Sequence, residues 1–155
     1  LSLEQISHLR LQGIEDGMYA HHLPFDREKQ YRPCRFSMEA GYQGAKDLLT
    51  RNPDLTAIFA LGDVIALGAM RAIRDMELHV PREISIVGYD DIVSAQYSIP
   101  RLTTVHQDAQ ALAQQGVDTL LKQLRTPAPP VHGVIPYTLC TRESVQKPQE
   151  RLCQP

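Results

Sequence analysis

Residues 84–91, Ile-Ser-Ile-Val-Gly-Tyr-Asp-Asp, decide the fold class of this 155-residue chain. Their first part is almost continuously apolar, which is typical of a parallel strand that is buried on both faces. Two acidic residues, Asp90 and Asp91, follow this strand at once. Ligands of open α/β sheets bind at the carboxyl ends of the strands. The segment therefore predicts both a sheet and the edge of that sheet where a site lies.

Other segments repeat this alternation of strands and helices on both sides. Residues 56–61 predict a second strand buried on both faces, residues 102–106 and 134–141 predict two more, and a short strand is expected around residues 35–36. A capping box at Ser2 and Gln5 predicts the first helix, and later helices are predicted to start at the caps Ser37, Asp63 and Asp108. Strands and helices in units of roughly 25 residues favour right-handed crossovers onto a parallel sheet.

Composition excludes several classes of protein. Hydrophobic residues make up 43% and charged residues 22%, a balance that argues against wholesale disorder, and no apolar run approaches the ~20 residues of a membrane span. A net charge of −2 argues against this chain alone gripping nucleic acid. The start of the chain lacks the pattern of a secretory leader, so we expect a cytoplasmic protein with no membrane partner. Cys34, Cys140 and Cys153 are expected to be reduced thiols, and residues 146–155 a loose tail.

Motifs for cofactors and metals do not occur. The glycine patterns of dinucleotide and phosphate sites and the metalloprotease helix motif are missing, so no cofactor is expected. His21, His22 and Asp26 have no second cluster to complete a metal site, and a solvated turn is the better interpretation. We expect no metal.

Polar residues after the strands are the candidates for chemistry. Asp90 and Asp91 form either an acid/base pair or, with Asp90 alone, an acceptor of hydrogen bonds from ligand hydroxyls; both interpretations stay open at this point. Asp63 is interpreted first as a helix cap and second as a ligand contact. Gln107, just past a predicted strand, offers a neutral donor and acceptor.

Two further residues complete the candidate site. Arg10 lies in the first predicted helix, where either solvent or the interior is open to its side chain. Phe36, just before the cap of the next helix, offers an apolar plate for a sugar or base, although on composition alone ordinary core packing is the better interpretation.

Four segments in order resemble the lactose-repressor/galactose-repressor family of bacterial transcription regulators. They are residues 56–60 (Thr-Ala-Ile-Phe-Ala), 66–73 (Ala-Leu-Gly-Ala-Met-Arg-Ala-Ile), 80–91 (Val-Pro-Arg-Glu-Ile-Ser-Ile-Val-Gly-Tyr-Asp-Asp) and 100–107 (Pro-Arg-Leu-Thr-Thr-Val-His-Gln). The resemblance implies an α/β fold with a Rossmann-like parallel sheet flanked by helices. Residues 1–145 are then the C-terminal portion of a periplasmic-binding-protein-like (type I) effector-binding domain, which holds its ligand in a cleft between two lobes.

The resemblance also implies site residues. Arg10 matches an R-x-x-G segment whose arginine reaches ligand hydroxyls, Phe36 matches an aromatic that stacks on the ligand ring, and Asp90 matches a ligand-binding acid. Gln107 falls where many members place a polar residue lining the cleft, and Asp63 follows a position that often contacts ligand.

One of these positions departs from the family pattern. Many relatives carry Asn or Ser just before the residue that Asp63 matches, whereas this chain has Gly62. A hydrogen bond to the ligand is therefore expected to be missing or replaced by water.

The function implied is that of the ligand-sensing part of a repressor, without catalytic turnover. Its partners would be a small hydroxylated effector (a sugar or nucleoside), a second copy that meets it near Leu67 and Met70, and operator DNA through a headpiece that this chain lacks. The helix at 108–125 is expected to pack on an absent N-terminal lobe, which would leave this fragment marginal or oligomeric. The alternatives are a periplasmic sugar-binding protein of a transporter and an enzyme with Asp90 or Asp91 as its base.

Overall fold

The computed structural model describes residues 3–126, 129 and 133–148, with only the backbone of residues 3–5. Six helices and four strands follow one another within these ranges. They are α1 (Leu3–Ala20), α2 (Arg27–Gln30), α3 (Met38–Arg51), β1 (Ala57–Phe59), α4 (Asp63–Asp75), β2 (Ser85–Asp90), α5 (Val93–Tyr97), β3 (Thr103–Gln107), α6 (Ala109–Arg125) and β4 (Tyr137–Cys140). The capping box at Ser2 and Gln5 and the thiol of Cys153 lie outside the described side chains. Helices α2 and α5 are too short to have shown a period in the sequence.

The strands form one sheet in the order β1-β2-β3-β4. β1 and β3 pair with β2 in parallel, so their carboxyl ends meet at one edge, as predicted. β4 is antiparallel to β3 and shorter than the predicted strand at 134–141. The fold class is confirmed, with the qualification that the sheet is mixed at one side.

β1 differs from its prediction. It lies at the side of the sheet and pairs only with β2 among the described strands. Phe59 is 41% exposed and Ala57 is also exposed, so the expectation of burial on both faces is wrong. Burial on both faces requires a neighbouring strand and covering helices on each side, and the sequence pattern alone does not reveal whether they are present.

Two further expectations are corrected. Residues 31–36 form no strand, because no described strand lies beside them to share hydrogen bonds. Gln146, where the loose tail was expected to start, exchanges hydrogen bonds with Ser85, so the expectation is wrong at that residue. The rest of the predicted tail beyond residue 148 lies outside the described residues.

A core forms where α3 and α4 pack together beside β2. The two helices approach closely because each has a glycine at the contact: Gly41 faces the backbone of Ile65, and Gly68 faces the backbone of Met38. The buried apolar side chains of this core are Ala45, Leu49, Ala60, Ala66, Ala69, Ala72, Ile73, Ile84, Ile86, Ala95 and Leu102. Much of α4 is covered, since six of its residues are buried: Asp63, Ala66, Gly68, Ala69, Ala72 and Ile73.

α6 has no such cover from the described residues. It starts at the predicted cap, where the Asp108 side chain accepts a hydrogen bond from the backbone N–H of Ala111. None of its residues is buried against the part of the chain that the structure describes. Its apolar face is 45% to 73% exposed and consists of Leu112, Val117, Leu120, Leu121 and Leu124.

Candidate functional site

The carboxyl edge of the sheet brings three predicted residues together. Asp90 ends β2 and Gln107 ends the neighbouring strand β3, whereas Arg10 comes from the middle of α1. Arg10 Nη2 lies 3.3 Å from Oδ1 of Asp90, and Gln107 Nε2 donates to the same oxygen over 2.9 Å. Both contacts fall on Oδ1, and the Asp90 side chain remains 24% exposed. The convergence on which the sequence interpretation depends is present.

Arg10 is held in place by three groups. Its Nη1 donates to the carbonyl oxygen of Leu61 over 2.6 Å, just past the end of β1. Its Cζ lies 3.8 Å from the centre of the Tyr89 ring, a cation–π contact. Together with the ion pair to Asp90, these contacts tie α1 to the ends of β1 and β2. The Arg10 side chain is 18% exposed, which leaves part of it accessible.

The backbone of Asp90 has an unusual conformation, and the pKa of its side chain is raised. Its φ is 111° and that of Asp91 is 56°, so two consecutive residues adopt positive φ, a strained arrangement that tends to occur at functional sites. Burial raises the pKa of Asp90 above the ordinary aspartate value, the charge of Asp63 raises it further, and Arg10 and Gln107 counteract part of that rise. Because burial disfavours the charged carboxylate, hydrogen-bond donors that a ligand supplies would stabilise that charged form.

A cavity of about 850 Å³ opens beside this charged pair. Arg10, Asp90 and Phe36 all line it, and apolar side chains from α1, α3 and β1 form much of its wall. Phe36 is 55% exposed, so the core-packing interpretation is not the better one. A cavity with an apolar wall and a few converging polar groups is the usual form of a small-molecule site. Gln107 does not line it, and its side chain contacts Asp90 instead.

Asp63 occupies a different environment from the predicted one. The N-cap of α4 is Gly62, and Asp63 is the first helical residue, so the cap assignment is wrong. Its side chain is fully buried, where Oδ1 accepts a hydrogen bond from Thr104 Oγ1 over 2.6 Å and Oδ2 accepts one from the backbone N–H of Ile92 over 2.9 Å. Burial raises the pKa of Asp63. Because both oxygens are engaged inside the core, the arrangement corrects the expectation that Asp63 faces a ligand.

Asp91 belongs to a second polar group, which sequence reasoning missed. Its Oδ1 accepts from Arg142 Nη2 over 2.5 Å, and its Oδ2 lies 3.0 Å from His106 Nδ1 and 3.6 Å from Cys140 Sγ. Burial works to raise the pKa of Asp91, but Arg142 and His106 hold it below the ordinary value. Arg142 also donates to the carbonyl oxygen of Leu102. The cluster connects the ends of β2, β3 and β4. No sequence motif indicated that Arg142 belongs to it.

The remaining candidates are less distinctive. Leu67 and Met70 are both half-buried on α4, and Met70 packs against the core. Their place at a contact between two copies stays a prediction. Among the described residues no group of His, Cys, Asp or Glu is arranged to hold a metal ion. No described helix is both long and apolar enough to cross a membrane.

Comparison with known proteins identifies the class of the chain. Residues 2–145 match the model of the periplasmic binding protein-like domain family, and the chain belongs to that family. Curated relatives that match the chain include transcriptional regulators. The HTH-type transcriptional regulator MalR of Clostridium butyricum is 34% identical over 139 residues, which cover 90% of this chain and 41% of MalR. The resemblance to repressors of the lactose type is confirmed.

Solved structures agree with the fold. The complex of the transcriptional regulator CelR with cellobiose superposes with a TM-score of 0.83 at 30% identity, covering 87% of this chain and 41% of CelR. A lac repressor dimer bound to operator and an anti-inducer superposes with a TM-score of 0.81 at 31% identity, covering 92% of this chain and 49% of the repressor chain. The chain therefore spans about half or less of these regulators.

Proposed function

We propose that this chain is the effector-sensing part of a cytoplasmic, DNA-binding transcriptional regulator. The effector is a small hydroxylated molecule, a sugar or a nucleoside. The observation that carries the proposal is the convergence of Arg10 and Asp90 on one cavity at the carboxyl edge of the sheet. Arg10 donates hydrogen bonds and Asp90 accepts them, so the pair suits two neighbouring hydroxyl groups on a ring. Phe36 lines the same cavity and would meet the apolar face of that ring.

Binding itself is the output of the site. An effector shifts a two-state regulator only by its differential affinity for the two arrangements, and about 10⁴-fold preference is needed to invert a strongly biased population. Several hydrogen bonds must therefore form in only one arrangement. The names of the relatives support a regulator rather than a transport protein. A second copy and operator DNA are the proposed macromolecular partners.

Turnover is not part of the proposal. Asp91 is paired with Arg142 and lies largely inside the protein, so its carboxylate is poorly placed to take a proton from a ligand. Asp90 already receives two hydrogen bonds on one oxygen. These arrangements favour holding a ligand over acid/base chemistry.

Calorimetric titration with ribose, cellobiose and adenosine tests this function. We expect at least one of them to bind, and Asp90→Ala to weaken that binding by about 10- to 100-fold, the range for losing hydrogen bonds to a charged group. Asp54→Ala, an exposed carboxylate in the turn before β1, is the matched control and should bind as the parent protein does. Equal affinity in Asp90→Ala would refute the site, and product formed during long incubation would refute the absence of turnover.

A further inference from the structure

The backbone conformation at position 62 does not require a glycine. Its φ is −175° and its ψ is 148°, extended values that any residue adopts. It is also the N-cap of α4 and makes no side-chain cap hydrogen bond. Asn, Asp or Ser would stabilise that helix start by a few tenths of a kcal/mol more than glycine does. A glycine here therefore sacrifices some stability without a conformational reason.

The space above Gly62 supplies the reason. A Cβ at this position would overlap Cε2 of Phe36 and lie 3.0 Å from its Cζ and 3.2 Å from its Cδ2. The Phe36 ring thus occupies the volume that any side chain at position 62 would need. The backbone next to Phe36 is fixed separately, because Ser37 caps α3 by accepting a hydrogen bond from the N–H of Ala40.

This contact adjoins the charged pair. Leu61, the residue before Gly62, is the one whose carbonyl oxygen accepts the hydrogen bond from Arg10. Leu61 and Gly62, just past the end of β1, therefore contact the charged and the aromatic side chains that line the cavity, Arg10 and Phe36. The first anchors the guanidinium, and the second receives the aromatic ring.

We propose that Gly62 is a specificity-determining residue: by lacking a side chain it seats Phe36 so that the effector meets an aromatic ring, not a polar group, at the start of α4. The inference rests on the proposed function and narrows its effector class. It selects hydroxylated rings with one apolar face, such as the C–H face of a sugar, beside the hydroxyl groups that Arg10 and Asp90 bind. A side chain at position 62 displaces the ring while leaving the backbone in place, because the atoms it meets are the end of a side chain.

The position of the ring is testable without any ligand. The protein contains three phenylalanines, so labelling with 4-fluorophenylalanine gives three ¹⁹F signals, and Phe36→Leu assigns one of them. We expect Gly62→Ala to shift the Phe36 signal and to leave the Phe25 signal in place. Gly116→Ala on α6, where a Cβ meets nothing within 4 Å, should shift neither. An unmoved Phe36 signal in Gly62→Ala overturns the proposed seat.

A double-mutant cycle tests specificity with the sugar or nucleoside that binds most tightly among ribose, cellobiose and adenosine. We expect Gly62→Ala to weaken binding by about tenfold, the scale of one lost aromatic contact. In a Phe36→Ala background the same change should have no further effect, because the ring is already gone. Additive losses would show that Gly62 does not act through Phe36 and would overturn the proposal.

Failure of the underlying function has a different signature. In that case none of the three probes binds, or Asp90→Ala binds as tightly as the parent protein, and the specificity role falls with it. The fluorine signal still decides whether Gly62 seats Phe36. If the Phe36 signal shifts but none of the probes binds, Gly62 makes only a packing contact with Phe36. The role of Gly62 in effector selection is then rejected.

Discussion

Helices α4 and α6 have similar sequence patterns and opposite surroundings. Both start at a residue that the sequence marks as a boundary, and both have an apolar face at helical spacing. α4 packs against α3 and β2 and buries six residues, whereas α6 buries none among the described parts of the chain. An apolar face predicts that a helix is covered in the native protein, but not by which element. α4 is therefore stabilised by contacts within the described chain, whereas the apolar face of α6 is available for contacts with another element.

The largest expected difference between the two helices is their response to the same substitution. A Cβ on Gly68 in α4 would overlap the carbonyl oxygen of Met38 and lie 2.7 Å from its carbonyl carbon, backbone atoms that cannot move aside cheaply. We expect Gly68→Ala to lower the free energy of unfolding by about 3 kcal/mol, the upper range for overpacking. Urea denaturation followed by circular dichroism measures it.

The control is Gly116→Ala in α6, where a Cβ meets nothing within 4 Å. Alanine is the better helix former, so this variant should be more stable by about 0.5–1 kcal/mol. If both variants shift the free energy of unfolding in the same direction, the close contact between α3 and α4 does not exist in solution.

The same contrast shows why sequence predicted the elements better than their neighbours. Local periods and caps identified α3, α4 and α6, since these signals act within one turn of helix. The exposure of β1 was missed because residues 56–61 are apolar whether or not another strand lies beside them. Asp63 was assigned as a cap because aspartate is preferred there, yet Thr104 and Ile92, from distant parts of the chain, bind both of its oxygens.

The candidate site was predictable to a similar degree. Asp90 followed from an acidic residue at the end of a buried strand, which is a local signal. Arg10 contacts it across 80 positions of sequence, and only the family resemblance connected the two. Arg142 was missed because a charged residue after a strand is ordinary on a surface, and nothing nearby shows that Asp91 is its partner. Long-range pairing of this kind is set by tertiary packing, which spacing does not encode.

A smaller effect on stability is expected from the ion pair that joins Asp91 to Arg142. Asp91 joins β2 to Arg142 just after β4, and its side chain is 8% exposed. Asp91→Asn should lower the free energy of unfolding at neutral pH by about 1.5–3 kcal/mol, the range for hydrogen bonds to charged groups. The folded pKa of Asp91 lies below the unfolded value, so this stabilisation is complete above the unfolded value of about 3.9 and is lost as the pH falls through the folded one.

Urea midpoints recorded from neutral to acidic pH measure this effect. The variant should lose less stability than the parent on acidification, so the two curves converge at low pH. Glu143→Gln is the matched control, because it breaks the neighbouring but exposed pair with Arg101 and should leave the midpoint nearly unchanged. Parallel curves for Asp91→Asn and the parent would mean that the carboxylate is not the group held by Arg142.

The smallest effect on stability is expected on the apolar face of α6. Leu120 is 57% exposed, so Leu120→Ala should change the free energy of unfolding by less than about 0.5 kcal/mol, whereas Ile73→Ala, fully buried on α4, should lower it by about 2–5 kcal/mol. Urea denaturation at low protein concentration measures both. An apolar face that remains uncovered also favours association, so the sedimentation coefficient of this chain should depend on its concentration. A monodisperse, sharply melting monomer in which Leu120→Ala costs as much as Ile73→Ala would show that α6 is packed against its own chain.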